Sequence, residues 1–494
     1  MEKKPESNLR WWVLFTVIIG TFLGRLDQTV VNLAMPKMID AFSITITAAG
    51  WIATAYILAN AVFVPIWGKL GDTIGRKKVY ILGFSIFIFG SALAGLAWNL
   101  TSMIVFRIIQ AVAASADYPT AMAILAVTFS EGKERAQALG IWSSSFATAT
   151  VFGPLIGGPL IDNFGWRSIF LVNIPVGIAG IFMAMRFIKE SKAKVAATYF
   201  DWWGAMALGG FLSALVLVLD QGLSWGWLSV PSLICYFFIV ALFAAFIRIE
   251  HKVKEPIVDL KFFKIPPFVN ALLNSFIVFM AMMGAMFLLP IFAQTFLGYT
   301  ATQTGYLFIP MALTMVVMAY LGGTLAGKVE SRFVIFAGTI VAGIGMFMFV
   351  GLDPRSTALD VMIPLSVMAA GLGFGMAQRT NIVASVVNPD EIGVASSVLA
   401  LVRNVAGAFG IAIFGTILSN ATYGNIFSIS RYSHLFSAGA SAVKEFAALV
   451  ELKAQVSAYS NVFFVAAVVI IIGAIPVLFL KIKNERTDIK VQVE

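Results

Sequence analysis

Two acids and four arginines stand inside long apolar stretches of this chain: Asp27, Asp117, Arg25, Arg107, Arg379 and Arg403. Each costs about 2.5–3.5 kcal/mol at a bilayer midplane, so each needs a partner or a task. A carboxyl in such surroundings can carry a proton. A conformational change that alters its burial or its distance from an arginine loads and unloads it. Asp27 and Asp117 are therefore the candidate proton-coupling residues, with Arg107 the candidate partner. On an ideal helix Thr21, Arg25, Gln28 and Asn32 form one polar stripe. Asp27 lies about 200° from Arg25 and faces elsewhere. Gly20 and Gly24 allow close packing on that other face. Arg107, Gln110 and Tyr118 share a face further along, with Asp117 at its edge. Arg107 and Asp117 are about 15 Å apart along the axis, too far to pair. Asn270 and Asn274, one turn apart, are candidate pathway residues in the second half. Arg379, near a helix end, is expected to reach the interface.

The elements that hold these residues follow from composition. Of 494 residues, 60% are hydrophobic and 12% charged, against roughly 25% charged in soluble domains. Such a chain needs lipid to cover its apolar surface. Fourteen stretches are long enough to cross a bilayer at about 20 residues each. They lie near 11–36, 48–69, 78–98, 101–125, 137–161, 167–188, 201–220, 230–249, 267–293, 302–326, 333–351, 361–384, 394–419 and 457–480. If both termini face the cytoplasm, 24 of the 34 lysines and arginines fall in cytoplasmic segments and six in exterior ones. That asymmetry sets the orientation. It also accounts for the net charge of +9 by topology and anionic lipid, with no nucleic-acid partner implied. Tryptophans 11, 12, 98, 202, 203, 225 and 227 fall at helix ends, at headgroup depth. The stretch 420–456 is the one long exterior loop, with a short amphipathic helix expected over 441–455. One cysteine and two histidines leave no disulfide framework, metal site or cofactor. No GxxxxGK[ST] phosphate loop exists in the sequence, which argues against an ATP-driven pump.

Residues 68–78, GKLGDTIGRKK, join the second and third stretches. Gly68, Gly71 and Gly75 permit a tight turn, and Asp72 suits a helix N-terminus, with Arg76 beside it. This loop resembles the signature loop of the major facilitator superfamily, with Thr73 at a normally basic place. A degenerate copy, GTLAGKVESR, begins at Gly323. Two copies fit two parallel six-helix repeats. Helix 1 carries LDQTVVNLAMP from Leu26. Helix 4 carries Arg107-x-x-Gln110, and helix 5 ends in GPLIGGP with Gly153, Pro154, Gly157 and Gly158. Helix 6 opens with WRSIFLVNIP from Trp166, and helix 13 adds Arg403 in RNVAGAFG. Together these resemble the fourteen-helix drug:proton antiporters, the EmrB/QacA-like exporters.

The resemblance implies an all-α polytopic membrane protein with a major facilitator fold of 14 transmembrane helices: two six-helix bundles plus two inserted helices. The expected domains are 1–190, an inserted pair at 191–255, and 256–494. It implies proton-coupled export of small lipophilic compounds by alternating access, with no enzymatic chemistry, across a cell membrane with both termini inside. Gly153 and Pro154 would bend helix 5 and form a seal against proton leak. Arg403 and the signature-loop residues would serve conformational change. Seven methionines, at 280, 282, 283, 286, 311, 315 and 318, suit a polyspecific pocket. The partners are the lipid bilayer, a small lipophilic substrate and protons, with a periplasmic adaptor if the host has two membranes. The alternatives are an exporter of an endogenous metabolite or lipid, and a non-transporting membrane receptor. The charge map makes a direct prediction. An alkaline phosphatase reporter fused after Glu494 should be inactive, and one inserted at Ser437 active. The reverse pattern contradicts the orientation.

Overall fold

The structure is a computed structural model that describes residues 7–129, 133–191, 201–253, 256–325, 328–387, 392–431 and 440–479. Among these the regular structure is helical, as lipid requires of a chain that must satisfy its backbone internally. The helices are α1 (Ser7–Phe42), α2 (Ile46–Ile74), α3 (Arg76–Gly95), α4 (Leu100–Ala114), α5 (Asp117–Thr128), α6 (Lys133–Phe164), α7 (Ser168–Leu171) and α8 (Asn173–Phe187). Then come α9 (Trp202–Trp225), α10 (Val230–Lys252), α11 (Pro266–Thr295), α12 (Ala301–Thr324), α13 (Ser331–Met348), α14 (Ala358–Ser385), α15 (Ile392–Arg431) and α16 (Ala440–Leu478). Thirteen candidate membrane spans occur among the described residues. The 32-residue α6 occupies the expected span 137–161. The protein is a multi-pass membrane protein.

Two expected spans are broken. The stretch 101–125 divides into α4 and α5, because Pro119 has no N–H to give the carbonyl four residues earlier. The Ser115 hydroxyl instead bonds Val112 O at 2.7 Å, and Ala116 N bonds Ala113 O at 3.1 Å. The break places Asp117 in the first turn of α5, where an acid suits the helix dipole. It also shifts the phase: Arg107 and Gln110 are buried while Tyr118 is exposed. The stretch 167–188 divides into α7 and α8 at Val172. At the other end the expectation of a long exterior loop is corrected. α15 continues to Arg431 and α16 starts at Ala440, so the amphipathic segment 441–455 is the first part of the last spanning helix. α6 runs unbroken through Pro154 and Pro159.

The chain forms two units, Met1–Val258 with Tyr299–Tyr306, and Asp259–Gly298 with Leu307–Glu494. In the first, α1, α3, α5, α6 and α8 share a core that includes Val17, Tyr80, Phe84, Phe129, Trp142 and Ile188. α9 and α10 form a hairpin, and α9 rests on α2, where Gly209 lies against Val62. In the second, α13 packs on α14, α11 on α15, and α16 on α13 and α15. Trp98, Trp202 and Trp203 are exposed at helix ends, as interfacial anchors should be. Of the methionines, Met280, Met282, Met286 and Met311 are buried in helix packing.

Small residues set how closely these helices approach. A Cβ on Gly90 of α3 would lie 2.9 Å from the Gln110 backbone of α4, so only glycine fits there. Gly20 meets the Tyr80 and Phe84 side chains, whereas Gly24 has nothing within 4 Å. The close contact expected of that pair is thus made by Gly20 alone. Gly90→Ala should destabilise the protein by about 1–3 kcal/mol, the usual range for overpacking, while Gly24→Ala should be near neutral. Thermal unfolding of both variants in detergent checks the contrast, and equal effects contradict it.

Candidate functional site

α1 brings Asp27 to its buried face, and α4 brings Arg107 and Gln110 against it. Both charged residues are 1% exposed. Arg107 Nη1 donates to Asp27 Oδ2 at 2.5 Å and to Gln110 Oε1 at 2.6 Å. Gln110 Nε2 donates to Asp27 Oδ1 at 2.9 Å, and Asn173 Nδ2 to the same oxygen at 3.1 Å. The two amides also converge on the Ser91 hydroxyl, at 2.7 Å and 3.3 Å. The Arg107 guanidinium lies 4.0 Å from the centre of the Tyr56 ring. Both oxygens of Asp27 are occupied, by side chains of α4 and α8, with Ser91 of α3 and Tyr56 of α2 holding those partners in turn. A buried pair is tolerated when the hydrogen-bonding capacity around it is largely met; Gln110 and Asn173 meet that of the carboxylate, while Arg107 Nε has no partner among the described residues.

Asp117 has a different environment. Thr21 Oγ1 of α1 donates to its Oδ2 at 2.7 Å, and the same threonine accepts from Trp142 Nε1 of α6 at 2.9 Å. Its other oxygen, Oδ1, is buried with no hydrogen-bond partner among the described residues. Tyr118 rests on Trp142 with ring centres 5.4 Å apart. Arg25 is half-buried on the polar stripe and donates to Gln28 at 3.3 Å, and Asn32 is likewise half-buried. The stripe and Asp27 occupy different faces of α1.

The glycine motif of α6 presses on α1. A Cβ at Gly153 would strike Thr29, and one at Gly157 would strike Val30. Beyond it a Cβ on Gly158 would lie 2.5 Å from Thr302 Cα. Asp162 caps the start of α12 through Ala301 N at 3.1 Å and Thr302 N at 2.8 Å. In the signature loop Gly75 has φ +121°, which favours glycine, and its N–H bonds Gly71 O at 3.1 Å. Gly68 faces Pro119 and Gly71 faces Thr120. Glu190 accepts from Lys77 N and Lys78 N at 3.1 and 3.2 Å and so caps α3. Asp72 falls in the last turn of α2, and its side chain lies outside the described residues. Arg76 N donates to Ser191 O at 3.0 Å. The second loop copy falls partly outside the described residues, at 326–327.

In the second unit Asn270 donates to Pro476 O of α16 at 2.7 Å. Asn274 is buried and bonds Thr339 Oγ1 at 3.2 Å and Gly473 O at 3.1 Å. These amides tie α11 to its neighbours. Arg403 lies over the Phe279 ring, 4.9 Å from its centre, and donates to Thr380 Oγ1 at 3.3 Å. Arg379 does not reach the interface as expected. It is fully buried, and its Nε donates to Asn274 Oδ1 at 2.8 Å. Asn173, Ser91, Trp142 and Glu190 were not singled out from sequence. Asn173 stands inside the helix-6 motif and could have been; Ser91 carries no signal of its own.

The fold and the site define an all-helical multi-pass membrane protein with a buried ion pair across its helices. The particular family follows from comparison with known proteins. Residues 17–411 match the Major Facilitator Superfamily, and the chain belongs to it. The chain is 31% identical over 401 residues to the multidrug resistance protein Stp of Mycobacterium tuberculosis, covering 81% of this chain and 74% of that protein. It is 31% identical over 420 residues to the multidrug transporter protein MdtP of Bacillus subtilis, covering 85% and 77%. A bacterial homologue of the human lysosomal transporter Spinster, solved in an inward-facing and occupied conformation, superposes with TM-score 0.70 at 18% identity, covering 96% and 97%. The first two relatives are drug transporters by description; the last shares the fold.

The ion pair can be tested without transport. Arg107→Met leaves Asp27 buried without its counter-charge and should destabilise by about 3–5 kcal/mol. Removing both charges, as Asp27→Leu with Arg107→Met, should cost clearly less than the sum of the single changes. Additive effects in thermal unfolding contradict the pairing.

Proposed function

We propose that this transporter exports small lipophilic compounds across the cell membrane in exchange for protons, by alternating access. The lipid bilayer and a small-molecule substrate come with the family; the proton and the direction of transport are the reading offered here. The observation that carries it is Asp117: a buried carboxylate with one oxygen held by Thr21 and the other without a partner among the described residues. That oxygen is a position for a proton. The exchanging site is then Asp117, with Thr21, Trp142 and Tyr118 around it and Arg25 near enough to act on it electrostatically. The stripe Arg25, Gln28 and Asn32, with Gln110 behind it, lies along the same helix as a pathway wall. Asp27 and Arg107, bonded to each other and to Gln110 and Asn173, hold α1, α4 and α8 together as one body while access to Asp117 changes. Gly153 and Gly157 let α6 approach α1 closely, and Gly158 and Pro154 lie against the start of α12, close packing that supports the seal assigned to that motif. The loop residues Gly68, Gly71, Asp72, Gly75 and Arg76 then serve conformational change and not substrate binding. Both termini lie in the cytoplasm in this reading, and a periplasmic adaptor belongs to it only in a host with two membranes.

Proton entry gains about 2.3 kcal/mol per 100 mV of membrane potential, to which the pH gradient adds. The test uses proteoliposomes and ethidium as reporter substrate. Asp117→Asn should reduce pH-gradient-driven accumulation to the level of protein-free liposomes while downhill ethidium exchange persists. Retention of full gradient-driven accumulation by Asp117→Asn contradicts the assignment.

A further inference from the structure

The second unit holds a buried cation with no ion-pair partner among the described residues. Arg379 is fully buried in α14. Its Nη1 and Nη2 have no hydrogen-bond partner among the described residues. In the membrane-spanning helices of this unit the described acids are Asp360, Glu445 and Glu451. Asp360 lies in the first turn of α14, about 28 Å along the helix from Arg379. Glu451 is separated by about 33 Å of α16 from Gly473, which borders the Asn274 site. The other nearby charge, Arg403, is also positive and acts on Arg379 electrostatically. A buried guanidinium without a counter-charge is strongly unfavourable, so the protein retains it for something that is not part of the chain.

The surroundings describe that something. Asn274 Oδ1 accepts from Arg379 Nε at 2.8 Å, while its amide nitrogen is spent on Thr339 and Gly473. The guanidinium is therefore gripped by one edge, and its two terminal nitrogens are left as a fork. A fork of this kind matches a carboxylate or sulfonate in two parallel hydrogen bonds. Gly375, one turn earlier, makes room for the guanidinium itself: a Cβ there would lie 2.7 Å from Nη2. Next along the chain, Thr380 is exposed and holds Arg403, whose guanidinium covers the half-buried Phe279 ring. Through Thr380 a second cation, Arg403, and the aromatic ring it covers stand next to the Arg379 position on α14.

We propose that Arg379, positioned by Asn274 and flanked by Arg403 and Phe279, is a binding site for the anionic head group of a lipophilic substrate. The identity of the anion as substrate rests on the export reading above; the presence of an anion site does not. The charge map puts this end of α14 on the cytoplasmic side, where an exporter collects its cargo.

The experiment is equilibrium binding to purified transporter in nanodiscs, without any gradient, so failure of export leaves it unaffected. The probes are 1-pyrenebutyrate and 1-pyrenebutanol, which share the ring and differ in charge. The wild type should bind the butyrate at least about tenfold tighter. Arg379→Gln should abolish that preference and leave butanol binding unchanged, and Arg379→Lys should keep part of it. Gly375→Ala, which crowds Nη2, should weaken butyrate alone and serves if Arg379→Gln does not fold. Replacing gluconate with chloride should not displace the butyrate. Equal binding of the two probes by the wild type overturns the proposal, as does an unchanged preference in Arg379→Gln. Displacement of the butyrate by chloride marks a halide site and overturns the substrate assignment.

Discussion

Burying a carboxylate and a guanidinium together is tolerable only when the two pair and the carboxylate's remaining oxygen finds donors, and this one constraint organises the first half of the molecule. Asp27 sits where α1, α2, α3, α4 and α8 converge, and four polar side chains, Arg107, Gln110, Asn173 and Ser91, close around it. The helices cannot slide past one another here without stripping a partner from a buried charge. The close approaches at Gly90, Gly153 and Gly157 place the partners at bonding distance. In the export reading proposed above, such a bundle moves as a body between two access states. It leaves Asp117, one span element away, as the carboxyl with capacity to spare.

The two units use charge differently. The first pairs its buried arginine with an acid; the second keeps Arg379 fully buried with no ion-pair partner among the described residues. That asymmetry fits a carrier in which one half handles the proton and the other the cargo. If the cargo is a monoanion, its export against one proton carries two charge equivalents in the favoured direction, about 4.6 kcal/mol per 100 mV by the same per-charge figure. A cationic cargo would forfeit that advantage and would meet two arginines on its path.

Much of this was legible before any coordinates. Span count and family followed from apolar length, basic residues and the motif at 68–78. The opposition of Arg25 and Asp27 followed from helical geometry alone. Other features depend on neighbours that a linear pattern does not expose. Pro119 was visible, yet its effect, a break that puts Asp117 at a helix start, needs the lost backbone bond to be traced to Ser115. Arg379 looked like an interfacial residue because it stands near the end of its helix, but Asn274 and Gly375 give the guanidinium a place inside. The segment 441–455 reads as amphipathic whether it is a separate surface helix or the start of α16. Glu190 in the linker gave no hint that it caps the α3 N-terminus from over a hundred residues away.

Two carboxyls buried in one bundle but partnered so differently should be separable by spectroscopy, independent of any substrate. Infrared difference spectra between acid and alkaline pH, recorded on the wild type and on Asp27→Asn and Asp117→Asn, follow the C=O stretch of a protonated buried carboxyl. The account predicts one titrating buried band in the wild type, lost in Asp117→Asn and kept in Asp27→Asn. A band that persists in Asp117→Asn and disappears in Asp27→Asn would contradict it.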